Sequence, residues 1–404
     1  MKSTTPAVVM PRALPDRTLQ RIRRAFPVLK RVTYLNSGTY GPMPLPALRA
    51  YLSAMSELER DGVACARPLA AEAEELRAAL ARLIGAQPAE VAFTGNSTDG
   101  LNIVLAGTDW CAGDEVITTD EEHEALLHPL LYLQRIRSIR VHRVSVTHEP
   151  EAMMARLDGV RSGRTRLLAF SHVTCESGAR LPAAEMCAWA RRYGIRTLVD
   201  VAQSLGATPV DVTTIGCDCM AANGHKWLHG PTGTGFVYVR ADRIEEIRPA
   251  HVGAGSLERA DAASGLAEPW STASRFEFGT RSWARAAGWL ASLRWLERIG
   301  QNRVVAHMLA MGDQAIAMLR DCEGAELLTP TAPGGRAGLV TVSFRDHDAG
   351  AIGERLSRDH GIVTRHVPHY NALRFSMSHF TSADDIAHLG AGLRHALGGQ
   401  ASRN

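Results

Sequence analysis

Lys226 follows His225 and opens a glycine-rich turn, Gly230-Pro-Thr-Gly-Thr-Gly235, between the strand-like runs at Cys219 to Ala221 and Phe236 to Val239. Upstream, the apolar run ending TLVD closes on Asp200. A lysine in a turn between two buried strands is partly desolvated, so its amine loses a proton more readily and becomes available to attack an aldehyde. An acid at a neighbouring strand end suits the same Schiff-base chemistry. The glycines Gly224, Gly230, Gly233 and Gly235 are expected to let backbone pass close to a ligand, because they carry no Cβ and tolerate positive φ. A surface lysine in a glycine hairpin is the plain alternative for Lys226 taken alone.

Other residues with chemical capacity are spread along the chain. Val91-Ala-Phe-Thr reads as a strand, and Gly95-Asn-Ser-Thr-Asp-Gly opens a helix. Ser97 and Thr98 therefore lie at a helix N-terminus, a place that suits phosphate binding as readily as ordinary capping. Asp120-Glu-Glu-His123 through His128 invites a zinc reading, but the two histidines are not at i and i+4, so they diverge on a helix. Cys217-Asp-Cys219 lacks the spacer of a zinc or redox pair, and the seven cysteines are odd in number and scattered. They are expected to be reduced and mostly buried.

Composition sets the frame. The chain has 404 residues, 45% hydrophobic and 22% charged, enough for one large core and a smaller second domain. A formal net charge of +3 with no long basic block argues against a nucleic-acid partner. The proline-broken N-terminus is too short and too interrupted for a signal or membrane span, so the cytoplasm is the expected compartment.

The elements that would position these residues follow in order. Residues 1–17 read as a flexible arm, and Arg17 to Leu29 as a short amphipathic helix. Pro46 to Gly85 reads as helical and Pro182 to Gly194 as another helix. Leu257 to Ser274 has no periodicity and reads as a mobile loop near the site. Ser282 to Gly300 and Val304 to Arg320 read as two helices joining a large domain to a C-terminal one, with strands near Leu339–Phe344, 362–365 and 372–377.

Asp200-Val-Ala-Gln203 and Gly224-His225-Lys226, with the following Gly-Pro-Thr-Gly run, resemble the class V aminotransferase family of pyridoxal-phosphate (PLP) enzymes. Within its cysteine desulfurase / isopenicillin N epimerase-like branch, Tyr34-Leu-Asn-Ser-Gly-Thr-Tyr-Gly-Pro resembles the N-terminal substrate loop of the epimerase members, and Phe278-Gly-Thr-Arg281 the family's Gly-Thr loop, with Arg281 where desulfurases often have proline. The resemblance covers Tyr34 to Leu397. It implies an α/β fold of PLP fold type I: a mostly parallel seven-stranded sheet flanked by helices in a large domain (34–282), a smaller C-terminal α/β domain (283–404), and an N-terminal arm and helix (1–33).

By the same resemblance Lys226 carries the cofactor, Asp200 faces the pyridine nitrogen, and His123 lies flat on the ring. Gln203, Ser97, Thr98, Asn223 and His225 complete the cofactor site, and Thr280 reaches the phosphate of a neighbouring subunit in a homodimer. Arg374 binds the substrate's α-carboxylate, with Asn36, Tyr40 and His366 nearby. Cys175 stands where many members have asparagine, which leaves Gln203 as the candidate partner of the ring hydroxyl. The implied substrate is an amino acid that loses its α-proton. Transamination, β-elimination of a sulfur group and epimerisation all stay open. Desulfuration is disfavoured because the segment Arg365-His-Val-Pro-His-Tyr-Asn371 has no cysteine. A non-catalytic binding protein is opposed by the presence of both Lys226 and Asp200.

Overall fold

The computed structural model describes residues 12–332 and 334–398; the remainder of the expected arm, residues 1–11, lies outside the described residues. Seven strands form one large sheet in the order Val91–Thr94, Gly235–Val239, Cys219–Asn223, Arg196–Asp200, Thr165–Ser171, Glu115–Thr119, Arg140–Val144. Gly235–Val239 runs against both of its neighbours, and the remaining pairs are parallel. Helices cover both faces of such a sheet, so its central strands are apolar without alternation; Cys219–Asn223 and Gly235–Val239 are buried at every position. The period of two still sorts them into separate cores. Leu198, Cys219 and Val237 join Leu101 and Leu130 on one face, whereas Val199, Met220 and Phe236 join Leu80 and Trp289 on the other. Each such side chain stabilises the fold by roughly 1.5–3 kcal/mol.

A four-stranded antiparallel sheet lies nearer the C-terminus, in the order Ala325–Leu327, Leu339–Phe344, Ala372–Ser376, Arg365–Val367. The single strand expected at 362–365 is divided between two sheets. Ile362–Val363 pairs in parallel with Thr33–Tyr34, and after Thr364 the chain turns to pair Arg365–Val367 with Ala372–Ser376. This exchange brings the start of the chain beside the C-terminal sheet.

Two further expectations are corrected. The helix read from Pro46 to Gly85 is two, Leu45–Asp61 and Ala66–Ile84, parted by a 3-10 turn where Gly62 takes a φ of 58°. The stretch read as a loop near the site forms an antiparallel hairpin, Leu257–Asp261 with Leu266–Pro269. Its faces are mostly exposed, so neither imposes an apolar period, and none of its residues lines the cleft described below. The helix Trp283–Ile299 packs against Leu45–Asp61 and Ala66–Ile84 and buries Trp289 in the large core.

All seven cysteines are free, and Cys65, Cys187, Cys217 and Cys219 are buried. No helix among the described residues is long and apolar enough to cross a membrane.

Candidate active site

Parallel strands deliver their C-terminal ends to one edge, and the candidate residues gather there. Ser171 and Asp200 stand in register on adjacent strands, as do Asp200 and Ala221. Lys226 follows in the connection between Cys219–Asn223 and Gly235–Val239. Together with the C-terminal sheet these strand ends enclose a cleft of about 600 Å³.

Lys226 and Asp200 both line this cleft. Burial holds the Lys226 amine below its ordinary pKa, with the Asp200 carboxylate pulling the other way. Burial raises Asp200 in turn, opposed by Lys226 and by the hydrogen bond that the Ala202 N–H donates to Oδ1 (2.8 Å). The loop carrying Asn36 closes over the lysine backbone: Gly41 N–H donates to the His225 carbonyl (2.7 Å), and a Cβ on Gly41 would sit 1.8 Å from the Lys226 carbonyl oxygen. The glycines of the lysine turn serve packing rather than a ligand. Cβ atoms on Gly224 and Gly230 would meet the Trp289 ring at 2.8 and 2.6 Å, and one on Gly235 would meet the Ala222 carbonyl at 2.6 Å.

Ser97 begins the helix Ser97–Gly107, which Asn96 caps by accepting from the Asp99 N–H. Ser97, Thr98 and His225 all face the cleft. Asn223 also lines it, but both ends of its amide hold Ser97: Oδ1 accepts from the Ser97 N–H and Nδ2 donates to Ser97 Oγ, each at 2.9 Å. Asn223 thus positions Ser97. His225 is pushed down to about 4 by burial and by Lys226, so it is neutral near pH 7, and its buried Nδ1 has no partner.

His123 is both a cap and a cleft residue. Its Nδ1 accepts from the Ala125 N–H (3.0 Å) at the start of Glu124–Arg137, and its ring lines the cleft. Burial, then Lys226, brings it down to about 4. Gln203 is less free than expected. Its Nε2 donates to the Gly38 carbonyl (2.8 Å) and its Oε1 accepts from Trp227 Nε1 (3.0 Å), which fixes the amide and leaves one N–H for any other partner.

Across the cleft, Arg374 projects from the strand Ala372–Ser376. One terminal nitrogen donates to the Cys175 carbonyl and the other to Thr39 Oγ1 (3.1 Å), while its buried Nε has no partner. Burial draws it down to about 10, still cationic at neutral pH. Cys175 lines the cleft, its thiol pushed up to about 12 by burial. His366 lines it too.

Three expected residues do not line this chain's cleft. Tyr40 is 38% exposed, and Gly38 and Thr39 take its place; the chain turns at Asn36, whose carbonyl accepts from the Thr39 and Tyr40 N–H groups, before the tyrosine reaches the cleft. Asn36 stays behind the lining, its Oδ1 buried and unpartnered. Thr280 is exposed outside the cleft, and Ser282 rather than Thr280 caps the helix that follows.

Several lining residues had no assigned role, Glu122 and Arg365 among them. Glu122 accepts from Thr119 Oγ1 (2.6 Å) and from Ser171 N–H (3.0 Å) and Oγ (2.6 Å). Burial raises it to about 7, and nearby Asp200 adds to the rise. Its neighbour His123 marked the place in the sequence, but the Ser171 contact depends on strand order. Arg365 stands in register with Arg374 on the adjacent strand.

These donors fit PLP. A buried carboxylate at the cleft floor suits a protonated pyridine nitrogen, a helix start with two hydroxyls suits a phosphate, and a desolvated amine suits an aldehyde. The unpartnered His225 Nδ1 and Arg374 Nε are buried polar atoms without a protein partner, as expected where a ligand completes the bonding.

Comparison with known proteins agrees. A probable cysteine desulfurase 2 of Mycobacterium leprae is 31% identical, covering 94% of this chain and 96% of the relative. The isopenicillin N epimerase of Streptomyces clavuligerus is 29% identical over 89% of this chain and 93% of its own length. Among solved structures, the cystine C-S lyase C-DES in complex with cysteine persulfide has a TM-score of 0.85 at 30% identity, covering 91% of this chain and 98% of that one. A C-DES variant with glycine covalently linked to the PLP cofactor has a TM-score of 0.86 at 30% identity over 94% and 99%. The family model described as Aminotransferase class-V matches residues 45–389, and the chain belongs to that family of PLP-dependent enzymes.

Proposed function

We propose that the protein removes the α-proton of an amino acid and then either transfers the amino group or expels a sulfur leaving group from the β-carbon. The observation that carries this reading is the gathering of Lys226, Asp200 and Arg374 around one cleft whose C-terminal wall, 365–369, contains no thiol. Bound PLP supplies the sink for the electron pair left at the substrate's α-carbon. The negative charge of Asp200 would favour a protonated pyridine nitrogen on the bound cofactor. Ser97, Thr98 and His225 would hold the phosphate of bound PLP, and His123, which lines the same cleft, would contact its ring. Arg374 presents its free Nε edge to the α-carboxylate, which orients the Cα–H bond. Lys226, kept easy to deprotonate by burial, accepts the proton at Nζ.

In the eliminating branch the Cα–H bond breaks toward Lys226 and the Cβ–S bond breaks with its electron pair leaving on sulfur. The three-carbon remainder then takes up water to give pyruvate and ammonia. Cys175 supports elimination over sulfur capture. A thiol pushed up to about 12 holds almost no thiolate at neutral pH, and the carbonyl of Cys175 is tied to Arg374, which limits its travel. Likeness to a cystine C-S lyase supports the same branch.

Cystine and S-substituted cysteines are expected to yield pyruvate or another keto acid, within about twofold of wild type in Cys175→Ala, since no nucleophilic thiol takes part. Stoichiometric alanine with a persulfide on Cys175 rejects this reading. Inverted substrate without keto acid moves it to epimerisation, the second reading, which the Streptomyces clavuligerus relative supports.

The site is further proposed to be completed in a homodimer. Thr280 is exposed, as are the large apolar side chains Trp270 and Phe278, which supports an interface in which Thr280 of one subunit would reach the phosphate end of the other's site. Mixing inactive Lys226→Ala and Thr280→Ala chains is expected to restore up to about a quarter of wild-type activity per site, by random pairing of two-fold dimers. No recovery on mixing under subunit exchange excludes the shared site.

A further inference from the structure

His229 is one of three residues other than glycine that take a positive φ among the described residues, at 52°. An L side chain rarely adopts that conformation, because its Cβ crowds the neighbouring carbonyl. The turn requires it here: the His229 N–H donates to the Lys226 carbonyl (3.2 Å), which reverses the chain directly after the lysine. Glycine would meet the same requirement without strain, so the outlier directs attention to what the imidazole itself holds.

The ring is fully buried. Its Nδ1 lies 2.9 Å from the Pro42 carbonyl oxygen, and because a carbonyl only accepts, Nδ1 carries the proton and donates. Nε2 faces Ser378 Oγ at 3.5 Å, and Phe26 and His379 meet the ring edge-on with centroids 5.0 and 4.5 Å away. Burial pushes His229 down to about 4, so the ring is neutral at neutral pH.

Pro42 ends the loop that crosses the site. Gly38 N–H donates to Ser376 Oγ (3.0 Å), Thr39 Oγ1 accepts from Arg374 (3.1 Å), and Gly41 N–H donates to the His225 carbonyl (2.7 Å). Gly38 and Thr39 line the cleft. The fit is closest at Gly41, where an added Cβ would also stand 3.0 Å from His229 Nδ1. A small lift of this loop would therefore move Thr39, and with it one of the groups that hold the Arg374 guanidinium.

We propose that His229 is a positioning residue for the reaction: by holding the Pro42 carbonyl from the turn that Lys226 opens, it sets the height of the 38–42 loop over the lysine and, through Thr39, the direction of Arg374. This rests on the amino-acid reading above and adds to it the residue that registers lysine and arginine against each other.

The test compares His229→Phe, His229→Gly and His229→Asn in the PLP-loaded protein. Phenylalanine fills the volume of the ring without a donor, and glycine accepts the positive φ without a donor. Asparagine tolerates that φ and places an Nδ2–H where Nδ1–H stood. Two quantities are measured: hydrogen exchange of the backbone N–H groups from Gly38 to Gly41, and affinity for free glycine from the change in cofactor absorbance. The phenylalanine and glycine variants are expected to exchange that segment at least about tenfold faster and to bind free glycine about tenfold more weakly, the scale set by one buried carbonyl left unpaired. The asparagine variant is expected to return both to within about threefold of wild type. Because His229→Gly relieves the backbone, a loss that it shares with His229→Phe and that asparagine recovers comes from the hydrogen bond. A His229→Gly variant matching wild type in both quantities overturns the proposal. So does faster exchange spread over the whole chain with affinity for free glycine unchanged, which marks a purely structural role. If free glycine leaves the wild-type spectrum unchanged, the amino-acid reading fails, while the exchange comparison still decides whether His229 positions the loop.

Discussion

Replacing Lys226 by alanine is expected to lower turnover by at least about 10⁴-fold, because the proposed function gives one amine two roles, covalent anchor of the cofactor and base at the substrate's α-carbon. The two roles act at different stages, so losing the group removes both. The fold should survive. Lys226 lines a cleft rather than filling the core, and what the turn buries is its neighbour Trp227, together with the carbonyl contacts of Gly41. Borohydride treatment followed by mass measurement should find cofactor joined to the wild-type chain and none joined to the variant, with the thermal unfolding midpoint of the two ligand-free proteins close. A cofactor adduct on the variant chain would place the anchoring amine elsewhere. A variant that fails to fold would show instead that Lys226 supports the turn, a role which Lys226→Met, keeping the stem and losing the amine, would separate from the chemical one.

The sequence made the floor of the site legible and its upper wall much less so. Lys226, Asp200, Ser97 and Thr98 lie at strand ends and a helix start, where local signals, an apolar run followed by glycine or a capping residue, mark position along the chain. Arg374 lies within a strand, and there the resemblance rather than any local pattern identified it. Glu122 has no such marker: what makes it buried and hydrogen-bonded is Ser171, brought beside it by the order of strands in the sheet. The pairing of Arg365 with Arg374 likewise depends on strand register, which the sequence does not display. The hairpin at 257–269 was missed because its two strands bury neither face, so no alternation records them. The turn glycines were noticed, but their reason was not, since Trp289 reaches them from a helix far along the chain.

Asp200→Asn is expected to lower turnover by about 10²–10³-fold, the scale lost when a preorganised charge partner is removed from a buried site. Asparagine is the informative change, because its Oδ1 can still accept from the Ala202 N–H, whereas alanine would leave that buried donor unpaired as well. The amide carries no charge to favour a protonated pyridine nitrogen, so on the proposed reading the cofactor would still be held through its phosphate and Lys226 but would be a weaker electron sink. A second consequence follows from the same charge. Asp200 raises the Lys226 pKa against the lowering effect of burial, so removing it lets burial act unopposed and the amine deprotonates at lower pH. The acid limb of the pH–rate profile, along which activity rises as the base loses its proton, should therefore move to lower pH in Asp200→Asn even as the plateau falls. A structural role alone would lower the plateau without moving the limb. Full activity with an unmoved limb would remove Asp200 from the site, and a limb displaced to higher pH would mean that another charge governs the lysine.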